Sequence, residues 1–213
     1  MLTVEILTFN PFQLNTHIIY DETGECVIID AGNSDQGEDN RLYNFITSNK
    51  LKPVRLINTH CHIDHILGNR FLFEKFKLNP ECHGDEKLNL DTADGISEYF
   101  GVKKPNNPPS VKFLKNGEKV FFGNSFLEII FTPGHSPGHI VLYSNESKFL
   151  ISGDVLFFES IGRTDLPGGN YQKLLESIKS KLFILPDDVT VYPGHGQTTS
   201  IGHEKRNNPF IRD

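Results

Sequence analysis

Three histidines and an aspartate fall within six residues of this chain, in the run Thr59-His60-Cys61-His62-Ile63-Asp64-His65. Imidazole nitrogens and carboxylate oxygens are donors for borderline and hard divalent cations. In an extended segment residues i and i+2 share a face, so His60 and His62 can point together. Asp64 and His65 stand where the chain turns into a helix and can address a second, adjacent position. One turn can therefore serve two neighbouring ions. Packing alone gives no reason to crowd four ionisable groups into one turn. Cys61, between two candidate ligands, faces away from them on alternation and is expected to pack.

Three other segments place a donor just past an expected strand, in a glycine-containing turn. They are Thr132-Pro133-Gly134-His135-Ser136-Pro137-Gly138, Ser152-Gly153-Asp154 and Tyr192-Pro193-Gly194-His195-Gly196. Glycine permits the close backbone approach that lets a short side chain reach an ion.

The elements that must position these donors follow from periodicity. Alternation predicts strands over residues 2–9, 16–20 and 26–30, the last two joined by Asp21-Glu22-Thr23-Gly24. Leu42, Phe45 and Ile46 predict a short helix ending near Lys50, and residues 54–58 a buried strand. A helix over 66–77, a strand at 80–83 and a helix around 86–100 follow, then a proline-rich loop over 101–110. Residues 111–113, 119–122 and 126–131 read as a hairpin-rich run, with further strands at 140–143, 149–151 and 189–192. Asn170 is placed to cap a helix whose Tyr171, Leu174, Leu175, Ile178 and Leu182 share one face. Two strand-rich halves, each followed by helices, predict one α+β domain over residues 1–213, with two sheets packed together and helices outside.

The 213 residues carry 21 basic and 27 acidic side chains, a net −6, which argues against nucleic acid as a partner. A small-molecule substrate is expected, and an anionic one is not excluded, because a bound metal reverses the local sign. Three cysteines, Cys26, Cys61 and Cys82, cannot all pair within the chain. The first residues lack a signal-peptide pattern and no apolar run approaches the ~20 residues of a membrane span, so a cytoplasmic protein without membrane association is expected.

The donors in order, His-x-His-x-Asp-His, a distant histidine, an aspartate and a final histidine, resemble the metallo-β-lactamase superfamily. Asp30, in Ile28-Ile29-Asp30-Ala31-Gly32, matches that family's early acidic position. Within the superfamily the chain looks most like glyoxalase II-related hydrolases. The telling segments are Ser160-Ile161-Gly162-Arg163-Thr164-Asp165-Leu166-Pro167-Gly168-Gly169 and the tail from Tyr192 to Phe210. The resemblance implies an αβ/βα sandwich with the site at one edge, between the sheets. It implies one divalent ion on His60, His62 and His135 and a second on Asp64, His65 and His195, with Asp154 shared. An all-nitrogen-and-oxygen set suits zinc, our first choice, and also iron or manganese. Such a centre activates water at neutral pH and stabilises an oxyanion. A thioester suits it, because a thiolate leaves with little help. Asp64 is then a candidate to orient the nucleophile as well as to ligate.

Around these ligands, Asp30 is expected to hold the His60–His65 turn, and His139 to hydrogen-bond close to the metals. Arg163 is expected to brace its loop through Asp165 or another carboxylate, or to bind a substrate carboxylate. The chain departs from the resemblance in two places. Asn15-Thr16-His17 replaces the family's usual Asn-Cys-Tyr, and only a short tail follows His195, without room for the helical extension with which glyoxalase II binds glutathione. The alternative chemistry is that of a persulfide dioxygenase, a relative sharing the Gly-Arg-Thr-Asp segment, with one iron on His60, His135 and Asp154. Hydrolysis of lactones or β-lactams, and a non-catalytic binding module, stand third.

Overall fold

The computed structural model describes residues 2–211; residues 1, 212 and 213 of the single domain expected over the whole chain lie outside it. In chain order the first half holds β1 (Thr3–Phe9), β2 (Leu14–Tyr20), β3 (Glu25–Ile29), α1 (Gln36–Ser48), β4 (Lys52–Ile57), α2 (Ile63–Ile66), α3 (Asn69–Phe76), β5 (Pro80–His83), α4 (Lys87–Phe100) and β6 (Lys112–Leu114). The second half holds β7 (Lys119–Phe122), β8 (Ser125–Phe131), β9 (Ile140–Ser144), β10 (Phe149–Gly153), β11 (Leu156–Phe157), β12 (Ser160–Ile161), α5 (Tyr171–Ser177), β13 (Thr190–Pro193), β14 (Thr199–Ser200) and α6 (Ile201–Asn207).

β1 to β6 form one mixed sheet in chain order, antiparallel up to β3 and parallel beyond it. The second sheet runs β14-β13-β10-β9-β8-β7, with only the β10–β13 pair parallel. Alternation along the strands sorts the core into layers. Ile19, Val27, Ile29 and Ile57 of the first sheet meet Leu127, Ile129, Leu142 and Ile151 of the second. Their strand neighbours point outward: Ile18, Ile28 and Leu56 pack under α1 and α3, and Val141, Leu150 and Val191 under α5 and α6. Strands buried on both faces read as nearly continuous apolar runs, which is why β3 and β9 show little polar alternation.

Several expectations change. The helix expected over 66–77 is two helices, α2 and α3, broken at Gly68. That residue lies against the Ala31–Asn33 turn: its N–H donates to the Ala31 carbonyl at 2.7 Å, and a Cβ there would meet Asn33 Oδ1 at 1.9 Å. The strand near 111–113 is β6, which pairs parallel with β5 in the first sheet, so the hairpin is β7–β8 alone. Asn170 does cap α5, accepting from Lys173 N at 3.0 Å. The helix then widens after Ser177, where Phe183 N reaches back to Ile178 O. The β11–β12 hairpin, β14 and α6 had no counterpart among the expected elements.

The substituted position His17 lies on β2, wholly buried, with neither ring nitrogen hydrogen-bonded and the Tyr192 ring edge-on at 6.3 Å. Burial first, and the nearby His65 second, pull its pKa down to about 3. The unfolded chain takes that proton near the ordinary pKa of ~6.5. Between those values the unfolded state binds more protons, so acid removes stability there, by up to about 1.4 kcal/mol per pH unit. In urea denaturation between pH 6 and 4, His17→Leu is expected to flatten the stability slope by that amount. An unchanged slope would take the effect away from His17.

Candidate metal centre

The donors gather where strand ends of both sheets meet. β4 runs out into His60 and His62, and His62 starts α2, which carries Asp64 and His65. His135 sits in the turn between β8 and β9, Asp154 immediately after β10, and His195 two residues past the end of β13. His60 Nε2 lies 3.0 Å from His62 Nδ1 and 3.2 Å from His135 Nε2. On the other side, His195 Nε2 lies 3.1 Å and His65 Nε2 3.5 Å from Asp64 Oδ2. Asp154 stands between these groups. Its Oδ2 is 3.7 Å from His135 Nε2 and 3.6 Å from His195 Nε2, and its Oδ1 is 3.5 Å from His65 Nε2. All seven side chains singled out as ligands are thus brought together. Three overlapping donor groups are close enough to share an ion: His60-His62-His135, His60-His65-Asp154 and Asp64-His65-His195.

The far nitrogens of three rings are hydrogen-bonded, and that of a fourth, His65, faces a carboxylate without a hydrogen bond. His135 Nδ1–H donates to the Arg163 carbonyl at 2.7 Å, and His195 Nδ1–H to the Phe12 carbonyl at 3.0 Å. His65 Nδ1 lies 3.0 Å from Asp30 Oδ2, and His60 Nδ1 3.2 Å from Thr59 Oγ1. What then faces the centre is a set of lone pairs with nothing to accept. His65 Nε2 and Asp154 Oδ1 are buried without a hydrogen-bond partner. Spacings of 3.0–3.2 Å are close to those of nitrogens about 2.0–2.1 Å from one tetrahedral ion. The residues therefore fit a pair of divalent cations.

Electrostatics agree with the geometry. Burial, reinforced by His135 and His65, takes His62 down to about 3, and burial foremost lowers His60 and His135, so these rings are neutral donors. Burial resists ionisation of Asp154, yet His65, His135 and His195 hold its carboxyl well below the usual range. Asp64 is lowered against burial by His65 and His195. Burial works against protonating His65, but Asp64, Asp30 and Asp154 outweigh it and raise its pKa.

The surrounding residues have distinct tasks. Asp30, at φ +54° just past β3, accepts Thr59 N and Thr59 Oγ1, both at 2.7 Å, besides facing His65. Thr16 Oγ1 donates to the Asp30 carbonyl at 2.6 Å, so the substituted segment on β2 still supports this turn. His139 is wholly buried, stacks on His60 at 4.8 Å, and its Nε2 accepts the Asp154 backbone N–H at 3.1 Å. The Arg163 guanidinium forks onto Asp165, both bonds 2.7 Å, on the exposed rim, while its carbonyl holds His135. Gly162 lies so close under Asp154 that a Cβ would fall 1.9 Å from that residue's carbonyl oxygen. Cys61 packs with Ile63, Ile66, Leu67 and Cys82, away from the donors.

Glu86 was missed by sequence reasoning. Its side chain is fully buried and spans two donor-bearing turns. Oε2 accepts Cys61 N and Asn89 Nδ2, each at 2.8 Å; Oε1 accepts Gly138 N at 2.7 Å and the Ser136 hydroxyl. In sequence it resembles any acidic residue opening a helix.

Above the donors lies a cleft of about 970 Å³, floored by His62, Asp64, His135, Asp154 and His195. Among the described residues no helix is long and apolar enough to cross a membrane.

Residues 9–195 match the metallo-beta-lactamase superfamily family Lactamase_B. The hydroxyacylglutathione hydrolase GloC of Haemophilus influenzae is 37% identical over 99% of this chain and 98% of its own length. Two solved structures are similar over nearly the whole chain. One, described as the BLEG-1 B3 metallo-beta-lactamase, has a TM-score of 0.90 and 34% identity, covering 99% of this chain and 100% of that one. The other, TTHA1623 in a di-iron-bound form, has a TM-score of 0.87 and 35% identity, covering 97% and 100%. With the sandwich and the gathered donors, these matches establish that the chain belongs to the metallo-β-lactamase superfamily, in its glyoxalase II-like branch.

Proposed function

We propose that this protein is a cytoplasmic metal-dependent hydrolase that cleaves a small-molecule thioester or related ester with water, giving a carboxylic acid and a thiol. The observation that carries the reading is Asp154, set between two groups of donors at the floor of one cleft. Two divalent ions, zinc by preference, are assigned to His60, His62 and His135 and to Asp64, His65 and His195, with Asp154 shared. When bound, such ions bring the pKa of water to ~7 and stabilise charge building on the carbonyl oxygen. The chain's own contribution is to hold His60, His135 and His195 by their outer nitrogens and, through burial, to keep the His60, His62 and His135 rings neutral. Asp64 opens to the cleft, and its ionised carboxylate orients the attacking water by accepting its hydrogen bond. A thiol of ordinary pKa ~8.5 leaves as thiolate, so no dedicated acid is assigned. GloC, the relative from Haemophilus influenzae, is named a hydroxyacylglutathione hydrolase, and an acyl group on the glutathione sulfur is a thioester, which supports the choice of bond.

Metal analysis of protein purified without added metal is expected to count two ions per chain. A panel of thioesters, lactones, a β-lactam and a persulfide is expected to show turnover concentrated on thioesters. One iron per chain with thiol-dependent oxygen uptake would replace this reading with the oxygenase. Asp64→Asn is expected to lower kcat by about 10²-fold or more, the scale of a positioned proton acceptor. Full turnover with both ions retained would remove Asp64 from that role.

A further inference from the structure

Beyond the metal floor, the cleft wall is apolar where a solvent-facing helix is ordinarily polar. Leu88, Thr92, Ile96 and Tyr99 recur along α4 at helical spacing and present one face to the cleft. Leu88 is 66% exposed, Tyr99 86% and the adjoining Phe100 48%. The adjoining face of α4 is anchored in the core through Ala93 and Ser97, with Leu90 packed beside them, so the helix does not need these large side chains to hold its place. Single exposed apolar residues are ordinary; a contiguous row beside a reactive floor is informative. The row closes at one end, where Phe100 meets Phe12 edge-on at 5.6 Å, and Phe157 continues the apolar lining beside His195 at 6.4 Å.

Charge points the same way. Among the described residues lining the cleft, Arg163 is the only lysine or arginine, and its guanidinium is already forked onto Asp165. On α4 itself Lys87 is paired with Asp91; of the two lysines just past its far end, Lys104 is paired with Glu98 and Lys103, exposed, does not line the cleft. A substrate arm carrying carboxylates finds no unpaired cation in this wall, whereas a hydrocarbon arm gains by leaving water.

We infer that the substrate carries an uncharged apolar arm, aliphatic or aryl, on one side of its reacting carbonyl, and that Leu88, Ile96 and Tyr99 of α4 select it. The inference rests on the hydrolase reading for its reaction and on the wall alone for its specificity. The cleft is of the size that encloses a small organic ligand rather than a macromolecule.

The test uses the metal-loaded protein and two thioester series. In one the acyl group lengthens from acetyl to octanoyl on a small neutral thiol; in the other the thiol lengthens on an acetyl group. S-alkyl thioethers of matching length, which cannot be hydrolysed, are titrated by calorimetry. In one series kcat/KM is expected to rise about two- to fourfold per methylene, fourfold being the limit for full burial. Thioether affinity is expected to follow the same order. The double variant Leu88→Gln/Ile96→Gln is expected to lower the ratio of longest to shortest substrate at least tenfold. Tyr99→Ser, at the most exposed position of the row, is a separate variant expected to move the ratio in the same direction. Flat series with length-independent thioether binding, or a slope that survives these substitutions in folded protein, would overturn the inference. Length-dependent thioether binding without hydrolysis of any thioester would leave the apolar arm standing and defeat the hydrolase reading instead.

Discussion

Asp154→Asn is expected to lower kcat/KM by at least about 10³-fold, equivalent to ~4 kcal/mol of transition-state stabilisation, while leaving the fold in place. Asparagine keeps the volume and the backbone hydrogen bond to His139, but removes the charge that three imidazoles surround. It also puts either an amide NH₂ or a weaker carbonyl donor where both carboxylate oxygens face ring nitrogens at 3.5–3.7 Å. Metal content is expected to fall below two ions per chain, with a far-ultraviolet circular dichroism spectrum like that of the unaltered protein. A variant that keeps both ions and ordinary turnover would show that nothing passes through this side chain.

Glu86→Ala is expected to be the most destabilising single change among the buried polar residues. It strips the acceptor from Cys61 N, Gly138 N and the Ser136 hydroxyl together, and leaves Asn89 Nδ2 with Ser136 Oγ alone. Each buried donor left without an acceptor costs about 1–3 kcal/mol, so a loss of at least about 4 kcal/mol is expected after relaxation and water entry. Glu86→Gln preserves shape but turns an NH₂ toward donors, and is expected to lie between. Because Cys61 sits between His60 and His62, and Ser136 and Gly138 follow His135 in its turn, both variants are expected to lose the ion of the three-histidine group. Chemical denaturation and metal analysis read the two effects separately. Stability within about 1 kcal/mol of the unaltered protein would refute the assignment.

What could be read from the chain divides by the range of the interaction involved. The donors were legible because histidine and aspartate at strand ends, spaced two and three apart, satisfy no packing need. The layered sandwich was legible because alternation in β1 and apolar runs in β3, β9 and β10 are properties of neighbouring residues. What escaped depends on partners remote in sequence. Gly68 ends a helix because of a turn more than thirty residues earlier, and β6 joins the first sheet because the chain crosses back before the β7 hairpin. The carbonyls of Phe12 and Arg163, which orient His195 and His135, carry no side-chain signature at all. Arg163 itself pairs with Asp165, two residues away, a contact short enough to anticipate.

The two sheets are also successive in the chain, the first complete by Leu114 and the second beginning at Lys119. On a ribosome adding about 5–20 residues per second, the whole first sheet emerges before any strand of its mate, with the inward row of Ile19, Val27, Ile29 and Ile57 still bare. Its histidines wait as well, since His195 follows β13, long after the first sheet is complete. The nascent chain therefore passes through an interval in which a sticky half-sandwich is already displayed and no complete cage for cations exists, and that interval is where chaperones have the most to protect.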